Sequence, residues 1–336
     1  MRVAVLGAGS MGRLHAELLV QADGVSDLLV ADLDADRARA AAEHAGGRAT
    51  SLDDALATAE AVVIVTPPEA HRPALLAALE RGIPAFCEKP LSATLADTID
   101  LAQRVESSGA VVQVGFQRRF DPGLARMQEM ASGGQLGELA LLRLAAHDPI
   151  GPAWTTATAP SDEVAPLFRD SSIHDFDMAR WLTGQEAVEV HAEATGRSDP
   201  APRLLNELET AVVTIRLSGG TLAVLDATLL NPRGYDIRAE LIGSRDAVAT
   251  GLGARLPLRV VDADAAVGDP WPSYLDRFRD AYRAELDAFL ALARGEGPNR
   301  CSVRDGLEAM RLAVAASRSY LERRRVRLEE IPTSAA

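Results

Sequence analysis

Short, almost wholly apolar runs alternate with helix-spaced segments through the first 115 residues of the chain. Residues 2–6, 27–31, 61–65, 83–87 and 111–114 are compact and aliphatic. The run Ala61-Val-Val-Ile-Val65 has no polar position at all, as a parallel strand covered on both faces should. Between these runs, 11–21, 35–44, 69–81 and 95–107 carry helical spacing, and Gly82 closes the third of them. This βαβα alternation predicts an α/β architecture built on a doubly wound parallel sheet.

Beyond residue 119 the pattern changes. Residues 122–132 read as a helix and 136–146 as a strand. Residues 148–170, rich in Pro, Thr and Asp, predict a loop over a site. A helix over 172–182 ends at Gly184. Strands over 187–194, 208–217, 221–230 and 235–242 then follow with no helix between them, and Gly219-Gly220 marks a hairpin. Two amphipathic helices near 273–293 and 303–322 finish the chain. The pattern predicts one domain over 1–119 and a second, α+β domain over 120–336 with a large open mixed or antiparallel sheet. Apolar positions such as Val213, Ile215, Leu222 and Val224 on that sheet need cover, which predicts a closed homo-oligomer, a tetramer.

The first strand runs into Gly7-Ala-Gly9-Ser10-Met11-Gly12, a G-x-G-x-x-G that opens a helix. The first glycine permits the turn and the second lets backbone approach a pyrophosphate. The third packs helix on strand, and the helix N-terminus faces the phosphates. Asp32 follows 20 residues after Gly12 at the end of the second strand, where an acid takes the adenosine ribose hydroxyls and repels a 2′-phosphate. This favours NAD over NADP, although Arg37 and Arg39 on the next helix soften the preference. Asp32 also reads as a helix cap beside Asp34 and Asp36.

Composition sharpens the picture at one point. The 336 residues hold 35 basic and 48 acidic side chains, a net charge of −13, which suits neither nucleic acid nor an anionic membrane. Two cysteines build no disulfide framework and fit a reducing compartment. With no signal peptide and no long apolar run, a cytoplasmic protein is expected. Of the 35 basic residues, one alone is lysine. Lys89, in Glu88-Lys89-Pro90, follows the strand over 83–87 and so falls on the ligand side of a doubly wound sheet. Lysine, unlike arginine, can give up its proton, so Lys89 reads as a group that polarises or protonates a substrate oxygen. Its structural alternative is an ion pair with Glu88. Asp170 and His174 at i, i+4 share a helix face, where the acid orients an imidazole general base. Asp170 reads equally as an N-cap, and His174 as a core histidine near Asp177. His15 and His71 read as packing or hydrogen-bonding residues, and His147, before Asp148, as a residue within reach of a polar substrate. Cys87 reads as a buried strand residue, and no Cys/His cluster has metal-ligand spacing.

The stretches Val3 to Gly12, Thr66-Pro-Pro-Glu-Ala-His71 and Cys87-Glu-Lys-Pro-Leu91 resemble the Gfo/Idh/MocA family of NAD(P)-dependent oxidoreductases, and the resemblance spans the whole chain. Gly115-Phe-Gln-Arg-Arg-Phe-Asp-Pro122 and the segment from Arg169 to Trp181 resemble its inositol 2-dehydrogenase branch. The resemblance implies a Rossmann domain followed by an open-sheet domain that often assembles tetramers. It implies cofactor contacts from Gly7, Gly9, Ser10, Met11, Gly12, Asp32, Thr66, Pro67, His71, Glu88 and Lys89. Lys89, Asp170 and His174 are the implied catalytic residues, and Arg119 and Tyr235 join them as substrate contacts. The Lys-Pro bond before Pro90 is often cis in such proteins. His147-Asp148-Pro149 departs from the branch by carrying His where many members carry Arg, and both His147 and Asp148 are expected to meet the substrate. The expected reaction is NAD-dependent oxidation of a secondary hydroxyl of a cyclitol. A pyranose dehydrogenase and a non-catalytic NAD-binding sensor are the alternatives.

Overall fold

The computed structural model describes residues 1–149, 163–196, 205–258 and 269–334. The chain forms two compact units. Met1–Phe120 and Asp280–Glu308 belong to the first, Asp121–Arg279 and Ala309–Pro332 to the second.

The first unit is built on β1 (Arg2–Leu6), β2 (Asp27–Ala31), β3 (Arg48–Ala49), β4 (Ala61–Ile64), β5 (Ala85–Glu88) and β6 (Val112–Gly115). All pair in parallel, in the order β3-β2-β1-β4-β5-β6. The order reverses between β1 and β4, so the ligand crevice of this sheet lies beyond the carboxyl ends of those strands. Every residue of β4, β5 and β6 is buried, which explains their largely apolar pattern; the polar exceptions, Glu88 and Gln113, are hydrogen-bonded within the unit. Helix starts follow local capping chemistry: Asp34 accepts from Asp36 N and Arg37 N, and Thr94 from Asp97 N. The short helix Leu52–Thr58 and β3 lie outside the sequence expectation, being too short and polar to show a period.

A single cut at 119/120 misses the return of the chain to this unit. In the helix Arg279–Ala293, Phe289 packs on Phe86 with ring centroids 5.8 Å apart, and Glu285 O accepts from Gln113 Nε2 at 3.1 Å. The amphipathic period announces an apolar face, but not which core that face will join.

The second unit holds β7 (Leu139–Pro149), β8 (Ala187–Thr195), β9 (Thr210–Leu217), β10 (Leu222–Asn231), β11 (Asp236–Gly243), β12 (Ala247–Thr250) and β13 (Val326–Arg327). Their order is β12-β11-β7-β10-β9-β8-β13, with β7 and β10 parallel and the other pairs antiparallel. One face is buried through Leu142, Val213, Ile215, Leu225 and Leu241. On that side Ser319, from the helix Val303–Glu322, accepts Ala192 N of β8.

The other face corrects the expectation for the open sheet. Val213 and Ile215 are fully buried on the covered side, and only Leu222 and Val224 of the four named residues point outward. Successive β9 residues alternate faces, so in Ala211-Val-Val213 it is Val212, 48% exposed, that lies on the open side. The open face is mixed: Arg143 and Glu240 pair across it at 2.7 Å beside Thr214, Arg216 and Asp226. No helix among the described residues is long and apolar enough to cross a membrane.

Candidate active site

In the first unit, the glycine loop has the geometry its spacing implies. Gly7 has φ +107°, and a Cβ there would lie 2.7 Å from Val65 O. A Cβ on Gly12 would lie 2.0 Å from Gly7 O, so only glycine allows this helix to sit on this strand. Gly9 differs, because nothing lies within 4 Å of its Cβ position. The protein's own packing does not require glycine there, whereas a phosphate approaching the backbone does. Gly9 is also the N-cap of helix Ser10–Leu19, and no side chain caps it, so Ser10, Met11 and Gly12 begin a helix whose leading N–H groups are left for a ligand.

Two further observations fit a dinucleotide. Thr66 Oγ1 is buried and has no protein partner among the described residues, a cost of about 1–3 kcal/mol unless a ligand satisfies it. Pro67 beside it caps the helix Pro68–Glu80 without a side-chain hydrogen bond. Asp32 is not a helix cap, since Asp34 has that role. Instead Asp32 Oδ2 accepts Ala8 N at 2.7 Å and Oδ1 accepts Asp34 N at 2.9 Å, which ties the glycine loop to the end of β2. Each oxygen keeps acceptor capacity for a ribose hydroxyl.

His71, expected at the cofactor, bridges two backbone turns. Nδ1 lies 2.8 Å from Pro90 O and Nε2 2.7 Å from Thr66 O, so both nitrogens face backbone carbonyls of the protein. Burial holds this imidazole below its usual pKa, against the pull of those two carbonyls. His71 thus joins the turn after β4 to the turn after β5. Lys89 is half-buried at the carboxyl end of β5, and its bond to Pro90 is cis. Glu88 Oε1 meets His15 Nε2 at 2.8 Å. Cys87 is fully buried, and burial pushes its thiol pKa up, far from a reactive thiolate.

Arg119, the other expected substrate contact in this unit, has protein partners of its own. It is 4% exposed in the turn Gln117–Phe120, donates to Arg300 O at 2.9 Å and pairs with Asp305 at 3.0 Å. Burial raises the Asp305 pKa, but Arg119 and Ser302 outweigh it and leave the net shift downward. The guanidinium therefore anchors the returning chain.

In the second unit, Asp170 belongs to a π-helical turn, Leu167–Ser171, and His174 to the first turn of helix Ile173–Thr183. The cap of that helix is Ser172, which makes no side-chain cap bond, so the capping alternative for Asp170 falls away. Both residues are buried. Asp170 accepts Nε and Nη2 of Arg169, each at 2.9 Å, and Arg169 is itself only 2% exposed. Asp170→Asn consequently threatens stability as well as chemistry. Removing the negative charge that faces buried Arg169 costs about 3 kcal/mol or more, to be read as a lower urea midpoint.

Asp148 Oδ2 accepts Ser171 Oγ–H at 3.1 Å, which brings the end of β7 beside the Asp170 turn. His147, one residue earlier on the strand, points to the opposite face. There it is hydrogen-bonded to Asp226 and lies 3.5 Å from Asp236. The two residues expected to meet a substrate thus lie on opposite faces of β7, Asp148 facing Ser171 and His147 facing Asp226 and Asp236. Burial disfavours the His147 cation, yet the two carboxylates outweigh it and raise its pKa to about 9 from 6.5. The folded state then binds the proton more tightly than the unfolded state. The resulting stability, on the order of 2–3 kcal/mol, is complete below about pH 6.5 and lost as pH rises through about 9. Urea unfolding across that range should show the loss in the native protein and not in His147→Gln. Tyr235 is buried against Tyr274 and Phe278 and bridges to Trp271, on the wall of a cavity of about 320 Å³.

Residues 1–116 match the oxidoreductase family with an NAD-binding Rossmann fold, and residues 128–328 match the C-terminal alpha/beta domain of that oxidoreductase family. A myo-inositol dehydrogenase of Streptomyces leeuwenhoekii is 38% identical over 328 residues, covering 95% of this chain and 97% of that protein. The crystal structure of myo-inositol dehydrogenase from Lactobacillus casei, in complex with NAD(H) and myo-inositol, superposes with TM-score 0.83 at 26% identity over 100% of this chain and 98% of that one. The scyllo-inositol dehydrogenase of the same organism, with NAD(H) and scyllo-inositol, gives TM-score 0.86 at 25% identity over 98% and 99% of the two chains.

Proposed function

The chain belongs to the Gfo/Idh/MocA oxidoreductase family, and from that premise we propose that it oxidises one secondary hydroxyl of an inositol ring to the ketone, with NAD as acceptor. The observation that carries the reading is the single lysine of the chain, set at the carboxyl end of β5 in the same sheet as the glycine loop. Gly7, Gly9, Ser10, Met11 and Gly12 would hold the pyrophosphate, Asp32 the adenosine ribose, and Thr66 and Pro67 the edge beyond β4. Bound NAD supplies the hydride acceptor, C4 of the nicotinamide.

The residues of the chain supply the rest. The carbinol C–H bond breaks with its electron pair leaving as hydride, and the O–H proton goes to His174. Asp170, held in place by Arg169, steadies the imidazolium that results. Lys89 stabilises the charge that develops on the carbinol oxygen. Asp148 and Tyr235 supply polar contacts for the remaining hydroxyls. Relatives named for both myo- and scyllo-inositol match this chain, so the proposal is a cyclitol and not one stereoisomer. A cytoplasmic homo-oligomer associating through the open sheet face, where Val212 and Leu222 are exposed, completes the reading.

The test is a panel of inositols, amino-inositols and hexoses with NAD and NADP, following reduced cofactor. Turnover of an inositol with NAD supports the proposal. Faster turnover of a hexose shifts the substrate to a pyranose, and silence across the panel points to a sensor. Light scattering at micromolar concentration reads the assembly, and a monomer mass contradicts it.

A further inference from the structure

The geometry points to His15 and Glu88 as positioning residues for Lys89, an inference that rests on the assignment of Lys89 to the reacting oxygen. His15 lies on helix Ser10–Leu19, one turn beyond Gly12, with a fully buried side chain. Burying an imidazole there costs free energy that Leu or Ala would not incur; Nδ1 has no partner among the described residues, so the ring's one polar contact is through Nε2. The ring meets Phe86 edge-on at 5.5 Å and Tyr282 at 5.8 Å. Held between them, it directs Nε2 at Glu88 Oε1, 2.8 Å away.

Glu88 uses its two oxygens differently. Oε1 meets His15, while Oε2 accepts the backbone N–H of Lys89 at 3.2 Å. Strand β5 ends at Glu88, so the Lys89 N–H has no place in the β5–β6 ladder, and this carboxylate provides its acceptor. Space for the carboxylate comes from Gly115, paired with Glu88 across the sheet. A Cβ on Gly115 would lie 2.8 Å from the Phe86 ring and 3.0 Å from Oε2. On the far side of Lys89, His71 Nδ1 meets Pro90 O at 2.8 Å. The backbone of Lys89 is therefore fixed on both sides. Its four-carbon stem is flexible, and the position of the ammonium depends on where that stem is rooted.

The sole lysine makes the test direct. Lysine labelled with ¹⁵N gives one side-chain nitrogen signal, that of Lys89 Nζ, from the intact protein. His15→Phe fills the ring's space and removes the donor, whereas His15→Gln keeps an N–H within similar reach. In His15→Phe, NAD affinity stays within about twofold, kcat falls about 10-fold or more with inositol KM changing less, and the Lys89 signal shifts. In His15→Gln, most of the kcat and the original signal return. A folded His15→Phe with unchanged kcat and an unmoved Lys89 signal overturns the inference and leaves His15 a packing residue. If His15→Phe does not fold, Glu88→Gln decides, with the same fall and shift expected, and unchanged values overturning the inference. Should the native protein oxidise no cyclitol, the functional proposal fails on its own, and the Lys89 signal still reports whether His15 positions it.

Discussion

Lys89→Arg lowers kcat by roughly 10²-fold or more and leaves NAD affinity within about twofold. The substitution keeps the charge and most of the stem, and it matches a chain whose other 34 basic residues are arginine. What it removes is the ability to exchange a proton and the compact head group that fits against a reacting oxygen. Were Lys89 there only to neutralise Glu88, arginine would serve as well. Glu88, however, already has His15 on one oxygen and the Lys89 backbone N–H on the other. NAD affinity is expected to survive because the substitution leaves untouched the Gly7–Gly12 loop and Asp32, to which the proposal assigns the pyrophosphate and the ribose. Steady-state kinetics with cofactor binding followed by fluorescence separates the two effects. Near-normal turnover in Lys89→Arg removes the lysine from the chemistry.

His174→Gln lowers kcat by about 10²–10⁴-fold, the range for losing a positioned general base. It is a cleaner probe than Asp170→Asn, because Asp170 also neutralises the buried Arg169. Glutamine approximates the length of the imidazole and still hydrogen-bonds, but it does not accept a proton near neutral pH. A loss in kcat with an unchanged urea midpoint places His174 in the chemistry. A loss in stability with kcat within about twofold makes it a core histidine beside Asp175 and Asp177, both of which are buried.

The parallel sheet, apart from the short exposed β3, was legible because its other strands are largely buried on both faces and its helices are amphipathic, so the period alone separates them. The glycine loop, Asp32 and Lys89 were legible because each is defined by position relative to a strand end. Side chains whose partners lie far along the chain were not. Arg119 meets Arg300 and Asp305 through a return of the chain that no local pattern announces. His147 meets Asp226 and Asp236 because strands β10 and β11 flank β7, a pairing set by topology. The face assignment of Val213 failed for a simpler reason, since adjacent valines hide the phase of a two-residue period. His15 and His71 offered only a local signal, a polar residue at a buried helical position, and its meaning came from partners 73 and 19 residues away.

The central claim is that this chain moves a hydride from an inositol carbon to NAD, and deuterium transfer tests it most directly. The purified protein is incubated with NAD and myo- or scyllo-inositol deuterated at every ring carbon, and the reduced cofactor is isolated for mass spectrometry and NMR. The account predicts one deuterium per reduced cofactor, at C4 of the nicotinamide, together with an inosose product. Reduced cofactor without deuterium, or no reduced cofactor from either inositol, contradicts it.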